Sequence, residues 1–132
     1  MFYSFPHKCN DSAASPAHTY PYRLEMDLTS GVIHQVDVLF QSGCEHLVSV
    51  QIFHGSYQLW PSNRAGYLRG NATVVSFREF YELVAGYTDL YAIINAHESI
   101  IDIEIIIQIG LLPKRVLQPL SFEELLAAAS GV

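Results

Sequence analysis

The stretch Ile100 to Ile109, with the sequence IIDIEIIIQI, decides the fold class of this chain. From Ile101 onward, isoleucines at every second position alternate with a face that carries Asp102, Glu104 and Gln108. A period of two is typical of a β-strand with one buried face. A long apolar strand on an open sheet edge promotes aggregation, so we expect this strand to be central in a sheet or paired with another chain.

Other segments of the chain show similar β character between turn signals. The further predicted strands are Tyr22 to Leu28, Val32 to Phe40, Leu47 to His54, Tyr57 to Trp60, Thr73 to Phe77 and Asp89 to Ala96. The connection His97-Glu98-Ser99 is short, which predicts a hairpin between the last of these strands and the isoleucine-rich strand. Ser76 and Glu79 also fit a helix capping box, so a short helix is the alternative to a strand or irregular edge there.

About seven or eight short strands with regular turn signals predict an all-β fold, an antiparallel β-sandwich or jelly roll. The chain has 132 residues, half of them hydrophobic, which suffices for one core and one domain. We expect residues 1–20 to be an extended N-terminal arm, residues 21–112 the β-sandwich domain and residues 113–132 a C-terminal extension. In the extension, a capping box at Ser121 to Glu124 predicts a short helix to about Ala129.

Charge and hydropathy exclude several classes of partner. The 7 basic residues are scattered and the formal net charge is −6, so we expect no nucleic-acid binding. The apolar stretch Ile100 to Leu112 is shorter than the roughly 20 residues that a membrane-spanning helix needs, so we expect no membrane partner. Met1 to Tyr22 lacks the features of a secretory signal, which favours an intracellular chain in which Cys9 and Cys44 are free thiols.

No pattern in the sequence indicates a catalytic or metal centre. Cys44 and His46 form one Cys-x-His pair, whereas zinc sites usually show two close ligand pairs. No His-x-His pair of the cupin type occurs, and His34 and His54 are predicted to be structural histidines with hydrogen bonds. Ser42-Gly43-Cys44 does not match a nucleophile elbow. We therefore predict no catalytic residue, no metal, no cofactor and no enzymatic activity.

Three aromatic residues, Tyr57, Trp60 and Tyr67, bracket the polar loop Pro61 to Asn71. Exposed aromatics at strand ends are one way in which a β-sandwich holds the face of a sugar ring, so these residues are candidate ligand-binding aromatics. The alternative is that they close the end of the sandwich. This alternative is favoured, because tryptophan is usually largely buried.

The two ends of the chain carry apolar side chains that we expect to dock on neighbouring subunits. These predicted docking residues are Phe2, Tyr3, Phe5, Leu117, Leu120, Phe122, Leu125 and Leu126. Charged residues make up only 15% of the chain, below the roughly 25% of an ordinary domain, which indicates that partners cover part of the surface. A homo-oligomer is therefore predicted, with a trimer favoured.

The segment Val32 to Pro113, with VDVLFQSGCEHLVSVQIF, a QLWPSN turn and a strand closing on GLLP, resembles the small β-sandwich accessory proteins of tailed-bacteriophage virions. The resemblance implies a non-enzymatic virion subunit, capsid cement or decoration, that is assembled in the host cytoplasm and bridges neighbouring subunits. Its partner would be the major capsid protein. A neck or tail component is one alternative, and a carbohydrate-binding module or a metal-dependent enzyme would be others, because such folds serve many functions.

Overall fold

The computed structural model describes residues 1–15 and 17–113, which form nine β-strands and no helix. The strands are β1 (Phe2–Cys9), β2 (Tyr22–Asp27), β3 (Gly31–Phe40), β4 (Val48–His54), β5 (Tyr57–Trp60), β6 (Leu68–Arg69), β7 (Thr73–Leu83), β8 (Asp89–Ala96) and β9 (Ile103–Leu112). The predicted all-β class is confirmed. The predicted C-terminal helix lies outside the described residues.

The strands form two antiparallel sheets. Sheet A has the order β1-β9-β3-β7, and sheet B has the order β2-β8-β4-β5, with β6 also paired to β4. The pairings are nested along the chain, because β1 pairs with β9, β2 with β8, β3 with β7 and β4 with β5. The chain therefore folds back on itself as one long antiparallel hairpin, and successive strand pairs of this hairpin fall in one sheet or the other. This arrangement is consistent with a β-sandwich.

A single apolar core draws on strands of both sheets. Ile105, Ile107 and Ile109 of β9 are fully buried, as are Ile52 of β4 and Ile94 of β8. Alternation along each strand places these side chains on its inner face. The isoleucine-rich strand lies between β1 and β3, so the expectation that it is central in a sheet is confirmed.

The first strand differs from the predicted extended arm. β1 pairs with β9 over its whole length, and its side chains at His7 and Cys9 are buried. The odd-numbered residues of β1, from Tyr3 to Cys9, point to the core. The polar His7 among them, with Phe2 and Pro6 on the opposite face, obscures this period in the sequence. Proline is tolerated here because β1 is an edge strand.

The predicted hairpin between β8 and β9 is wrong. β8 belongs to sheet B and β9 to sheet A, so the connection crosses from one sheet to the other. This connection covers residues 97–102, so β9 begins at Ile103 rather than at the predicted Ile100. Ile100 lies in the connection and is buried in the core. Both strands have one apolar face, and sequence pattern alone does not distinguish pairing within a sheet from packing between sheets.

β7 is one continuous strand, so the alternative of a short helix after Phe77 is not formed. Along its partner β3, the pairing register is irregular between Ile33 and Gln35. This irregularity places Ile33 in the core and turns His34 away from it, whereas strict alternation predicted His34 on the same face as Val36.

Candidate assembly surface

The outer face of sheet A carries aromatic rings near the end where β1 begins and β9 ends. The rings of Phe2 and His34 meet edge to face with centroids 5.7 Å apart. Gly110 of β9 lies beneath them, and a Cβ atom added there would be 2.7 Å from Phe2 and 2.8 Å from His34. The absence of a side chain at Gly110 therefore allows the two rings to meet across the strand between them.

Phe80 extends this row onto β7. The pairing of Ile33 with Tyr81 and of Gln35 with Arg78 places His34 opposite Glu79 and Phe80. Phe80 is 75% exposed and Phe2 is 66% exposed, although both are large apolar side chains. The row thus spans all four strands of sheet A and leaves two phenyl rings in contact with water.

The turn that follows β7 adds two more exposed apolar residues, Val84 and Tyr87. His54 of β4 holds this turn, because its Nε2 atom lies 2.8 Å from the Tyr87 carbonyl oxygen and its Nδ1 atom lies 2.7 Å from the Tyr81 hydroxyl. A carbonyl oxygen only accepts, so Nε2 donates, and in a neutral ring Nδ1 accepts from Tyr81. The prediction that His54 is a structural histidine with hydrogen bonds is confirmed.

The start of the chain lies at the same end of the molecule. The Met1 amino group donates to the Leu111 carbonyl oxygen at 2.9 Å, and the Leu111 amide donates to the Met1 carbonyl oxygen at 2.7 Å. Met1 is itself more than half exposed. We call the exposed apolar residues at this end the terminal surface, which consists of Met1, Phe2, Phe80, Val84 and Tyr87.

The predicted docking residues of the first strand separate into two groups. Phe2 belongs to the terminal surface, whereas Tyr3 and Phe5 are partly buried and pack against the core. Phe80, Val84 and Tyr87 were not predicted. The available signal was that Phe80 is out of phase with Phe77 and Tyr81, both of which pack against the core. The predicted docking residues Leu117, Leu120, Phe122, Leu125 and Leu126 lie outside the described residues.

The three aromatics that bracket the polar loop do not form one platform. Trp60 is only 4% exposed, and its ring packs against Phe77 and Tyr81 at centroid distances of 5.7 and 6.1 Å. Tyr57 and Tyr67 are exposed. Trp60 therefore closes the core between the sheets, and a sugar ring cannot reach its face.

A second group of polar aromatic residues lies between β1 and β2. The His7 ring stacks on Tyr22 at 4.5 Å, and its Nε2 atom lies 3.0 Å from the Tyr20 hydroxyl. Burial is the largest cause that lowers the pKa of His7 to about 4, and His18 beside it lowers it further, whereas Asp11 acts in the opposite direction. His7 is thus neutral at neutral pH and serves as a core residue.

The two cysteines are buried free thiols. Burial raises the pKa of Cys9 to about 12, and Cys44 nearby adds to this rise. Burial also raises the pKa of Cys44. Since the thiolate is the reactive form, neither residue is an activated nucleophile. In residues 1–15 and 17–113, no three His, Cys, Asp or Glu side chains are grouped so as to hold a metal ion.

Comparison with protein-family models, with curated proteins and with solved structures gives no match to this chain. Among the residues that the structure describes, no helix is long and apolar enough to cross a membrane.

Proposed function

We propose that this protein is a non-catalytic structural subunit of a viral particle that binds neighbouring subunits through the terminal surface. A capsid cement or decoration protein is the preferred role, with the major capsid protein as its partner and assembly in the host cytoplasm. A neck or tail component is the alternative position in the particle. The single observation that carries the proposal is the group of exposed apolar side chains at one end of the sheets.

The strand order supports this choice of class. We assign the two sheets to a jelly roll, because the nested pairings of β1 with β9, β2 with β8, β3 with β7 and β4 with β5 are the order of that architecture. Jelly rolls occur in viral capsid proteins, in lectin domains and in cupin enzymes. The fold alone admits all three classes, so our preference for a virion subunit is supported by the exposed residues.

The terminal surface favours an assembly role over a solitary one. Single exposed apolar residues are ordinary, but a group of them around one end of a domain is typical of a protein contact. Phe2, Phe80 and Tyr87 are aromatic, the residue class that is enriched at the centre of interfaces. Burying these side chains against a neighbour would stabilise the complex by roughly 25 cal/mol per Å² of apolar area.

We further propose that the purified chain forms a homo-oligomer, most simply a trimer, through this surface. The double variant Phe80→Ser, Val84→Ser should lower self-association and binding to candidate capsid shells by at least about tenfold, because it removes apolar area from the contact. Sedimentation velocity and co-sedimentation with shells measure the two effects.

Ile101→Ser is the matched control, because Ile101 is 57% exposed and Val84 is 56% exposed, but Ile101 lies at the opposite end of the sheets. The control should associate like the unchanged protein. The proposal is contradicted if the unchanged protein stays monomeric at tens of micromolar and binds none of the capsid shells. It is also contradicted if the control variant loses as much association as the double variant.

A further inference from the structure

A polar cavity lies beside β5 and Phe53 of β4. Its volume is about 360 Å³, close to the lower limit of ordinary ligand pockets and sufficient for one ring-sized molecule. We call it the β5 pocket, and its lining residues are Phe53, Ser56, Tyr57, Gln58, Ser62 and Arg64. Aromatic rings, hydroxyl groups and a guanidinium group thus meet in one cavity.

The Gln58 side chain shapes the loop that forms the far wall of the pocket. Its Nε2 atom donates to the carbonyl oxygens of Pro61 and Gly66 at 2.8 and 3.3 Å, and its Oε1 atom accepts from the Ala65 amide at 3.3 Å. Gln51, which is buried, donates to Gly66 as well. These bonds hold the loop backbone on both sides of Arg64, so the loop that carries this side chain is ordered before any ligand binds.

Within residues 1–15 and 17–113, no carboxylate lies within ion-pair distance of Arg64. Arg23 pairs with Glu25, and Arg69 lies over the ring of Tyr67. The guanidinium group of Arg64 is exposed at the pocket in a chain whose net charge is −6. An exposed guanidinium group on an ordered loop is suited to a carboxylate, which it binds through two parallel hydrogen bonds.

The remaining lining groups indicate what carries that carboxylate. The Phe53 ring is braced by Tyr91, which stacks on it at 5.4 Å and is covered by the Arg23 guanidinium at 3.7 Å. Phe53 and Tyr57 offer apolar ring surface, and the Ser56 and Ser62 hydroxyls both donate and accept. Ring surface beside hydroxyl groups matches a sugar, which has an apolar face and a rim of hydroxyls.

We infer that the β5 pocket binds a single sugar ring that bears a carboxylate, with Phe53 and Tyr57 against the ring and Arg64 on the carboxylate. This inference stands independently of the assembly proposal. Of the aromatic residues that the sequence predicted for sugar binding, Tyr57 lines this pocket and the buried Trp60 does not. Phe53, which was not predicted, supplies the second ring.

The test is an amide NMR titration of the full chain with glucuronate, glucose and acetate. Glucose carries a neutral hydroxymethyl group where glucuronate carries its carboxylate, and acetate supplies a carboxylate without a ring. Glucuronate should give saturable shifts at residues 53–66 and bind at least about tenfold more tightly than glucose, as expected for one charge-assisted contact. Acetate should give no saturable shift there.

Arg64→Gln should abolish the preference for glucuronate over glucose, whereas Arg69→Gln, a matched change at another exposed arginine, should leave it intact. Circular dichroism establishes that both variants are folded. The inference is overturned if glucuronate gives no saturable shift at tens of millimolar, if both sugars bind equally, if acetate saturates the same amides, or if Arg64→Gln keeps the preference.

Discussion

The two ends of the molecule expose very different chemistry. At the end opposite the terminal surface, which we call the sealed end, polar side chains satisfy the loop backbone. Asn10 donates to the His97 carbonyl oxygen at 2.9 Å, and the backbone amide and hydroxyl of Ser12 donate to Asp102 at 2.8 and 2.7 Å. The side-chain oxygen of Asn71 accepts from two more loop amides.

The terminal surface instead presents phenyl and phenol rings to water. Buried or strained loop backbone needs hydrogen-bond partners, and the sealed end supplies them within one chain. Exposed rings contribute hydrophobic stabilisation only when another surface covers them and removes their apolar area from water. The loop backbone of the sealed end is therefore satisfied within the chain, although Ile101 there is 57% exposed. The terminal surface instead groups several exposed rings and is suited to contact with a partner.

The largest expected effect comes from removing part of the sealed end. Deleting Met1 to Tyr20 removes β1 and the Asn10 and Ser12 bonds, and it uncovers the edge of β9. We expect loss of cooperative folding, because the isoleucine-rich strand then becomes an open edge. Circular dichroism and thermal unfolding measure this effect.

Truncation after Pro113 is the control for this deletion, because all nine strands that the structure describes end at or before Leu112. The truncated chain should remain folded and should lose incorporation into an assembly if the C-terminal extension docks as proposed. A folded deletion variant with a normal melting temperature would show that β1 is dispensable and would restore the interpretation of residues 1–20 as an arm.

A smaller effect is expected when acid titrates His7 beside the sealed end. The folded-state pKa of His7 is about 4 and its ordinary value is 6.5, so between these values the unfolded chain binds more protons. Stability is therefore full above about pH 6.5 and falls as the pH drops towards 4, by at most about 3 kcal/mol. Urea denaturation at several pH values measures this slope.

His7→Gln should flatten the pH dependence in this window, because glutamine does not titrate. The hydrogen bonds from Ser12 lower the pKa of Asp102 below 3.8. Protonation of Asp102 therefore destabilises the protein only below pH 3.8, outside the range from 4 to 6.5 in which His7 titrates. Equal slopes in the variant and in the unchanged protein would refute the assignment to His7.

The smallest effect on stability is expected at the terminal surface. Gly110→Ala places a Cβ atom against Phe2 and His34, but Phe2 is mostly exposed and can swing aside. We expect a loss of about 1 kcal/mol in stability together with a clear loss of self-association, because the ring row is displaced. Denaturation and sedimentation velocity measure the two quantities.

Gly110→Ala in a Phe2→Ala background is the control, since removing the ring leaves less to displace. In this background, Gly110→Ala should lower the free energy of unfolding by less than it does in the unchanged protein. An undiminished cost would mean that backbone or His34 strain, rather than the position of Phe2, limits this site.

The sequence predicted the strands well where one face is apolar over many residues, as in β9 and β4. It failed where the same pattern serves two arrangements. β8 and β9 both alternate, and only the tertiary structure shows that their connection crosses between sheets. β1 was missed because Pro6 and His7 interrupt its apolar period, although an edge strand tolerates the first and a hydrogen bond to Tyr20 satisfies the second.

The candidate sites were less predictable than the fold. Trp60 and Phe80 are both aromatic residues in or near turns, yet one is buried and the other is largely exposed. Trp60 faces the core at the end of β5, whereas Phe80 lies on β7 out of phase with the core-facing Phe77 and Tyr81. Composition does not show which face of a strand an aromatic residue occupies. The β5 pocket was likewise hidden, because Phe53 and Arg64 meet only through the loop that Gln58 holds.

The paired hydrogen bonds between Met1 and Leu111 also bear on how the chain can be rearranged. Because β1 and β9 are antiparallel neighbours, the first residue and Pro113 lie at one end of adjacent strands. In a chain truncated after Pro113, a short flexible linker between these two residues would close the backbone into a ring without crossing either sheet. Circularly permuted chains with new ends in the exposed turn at Gly86 should therefore keep the strand order.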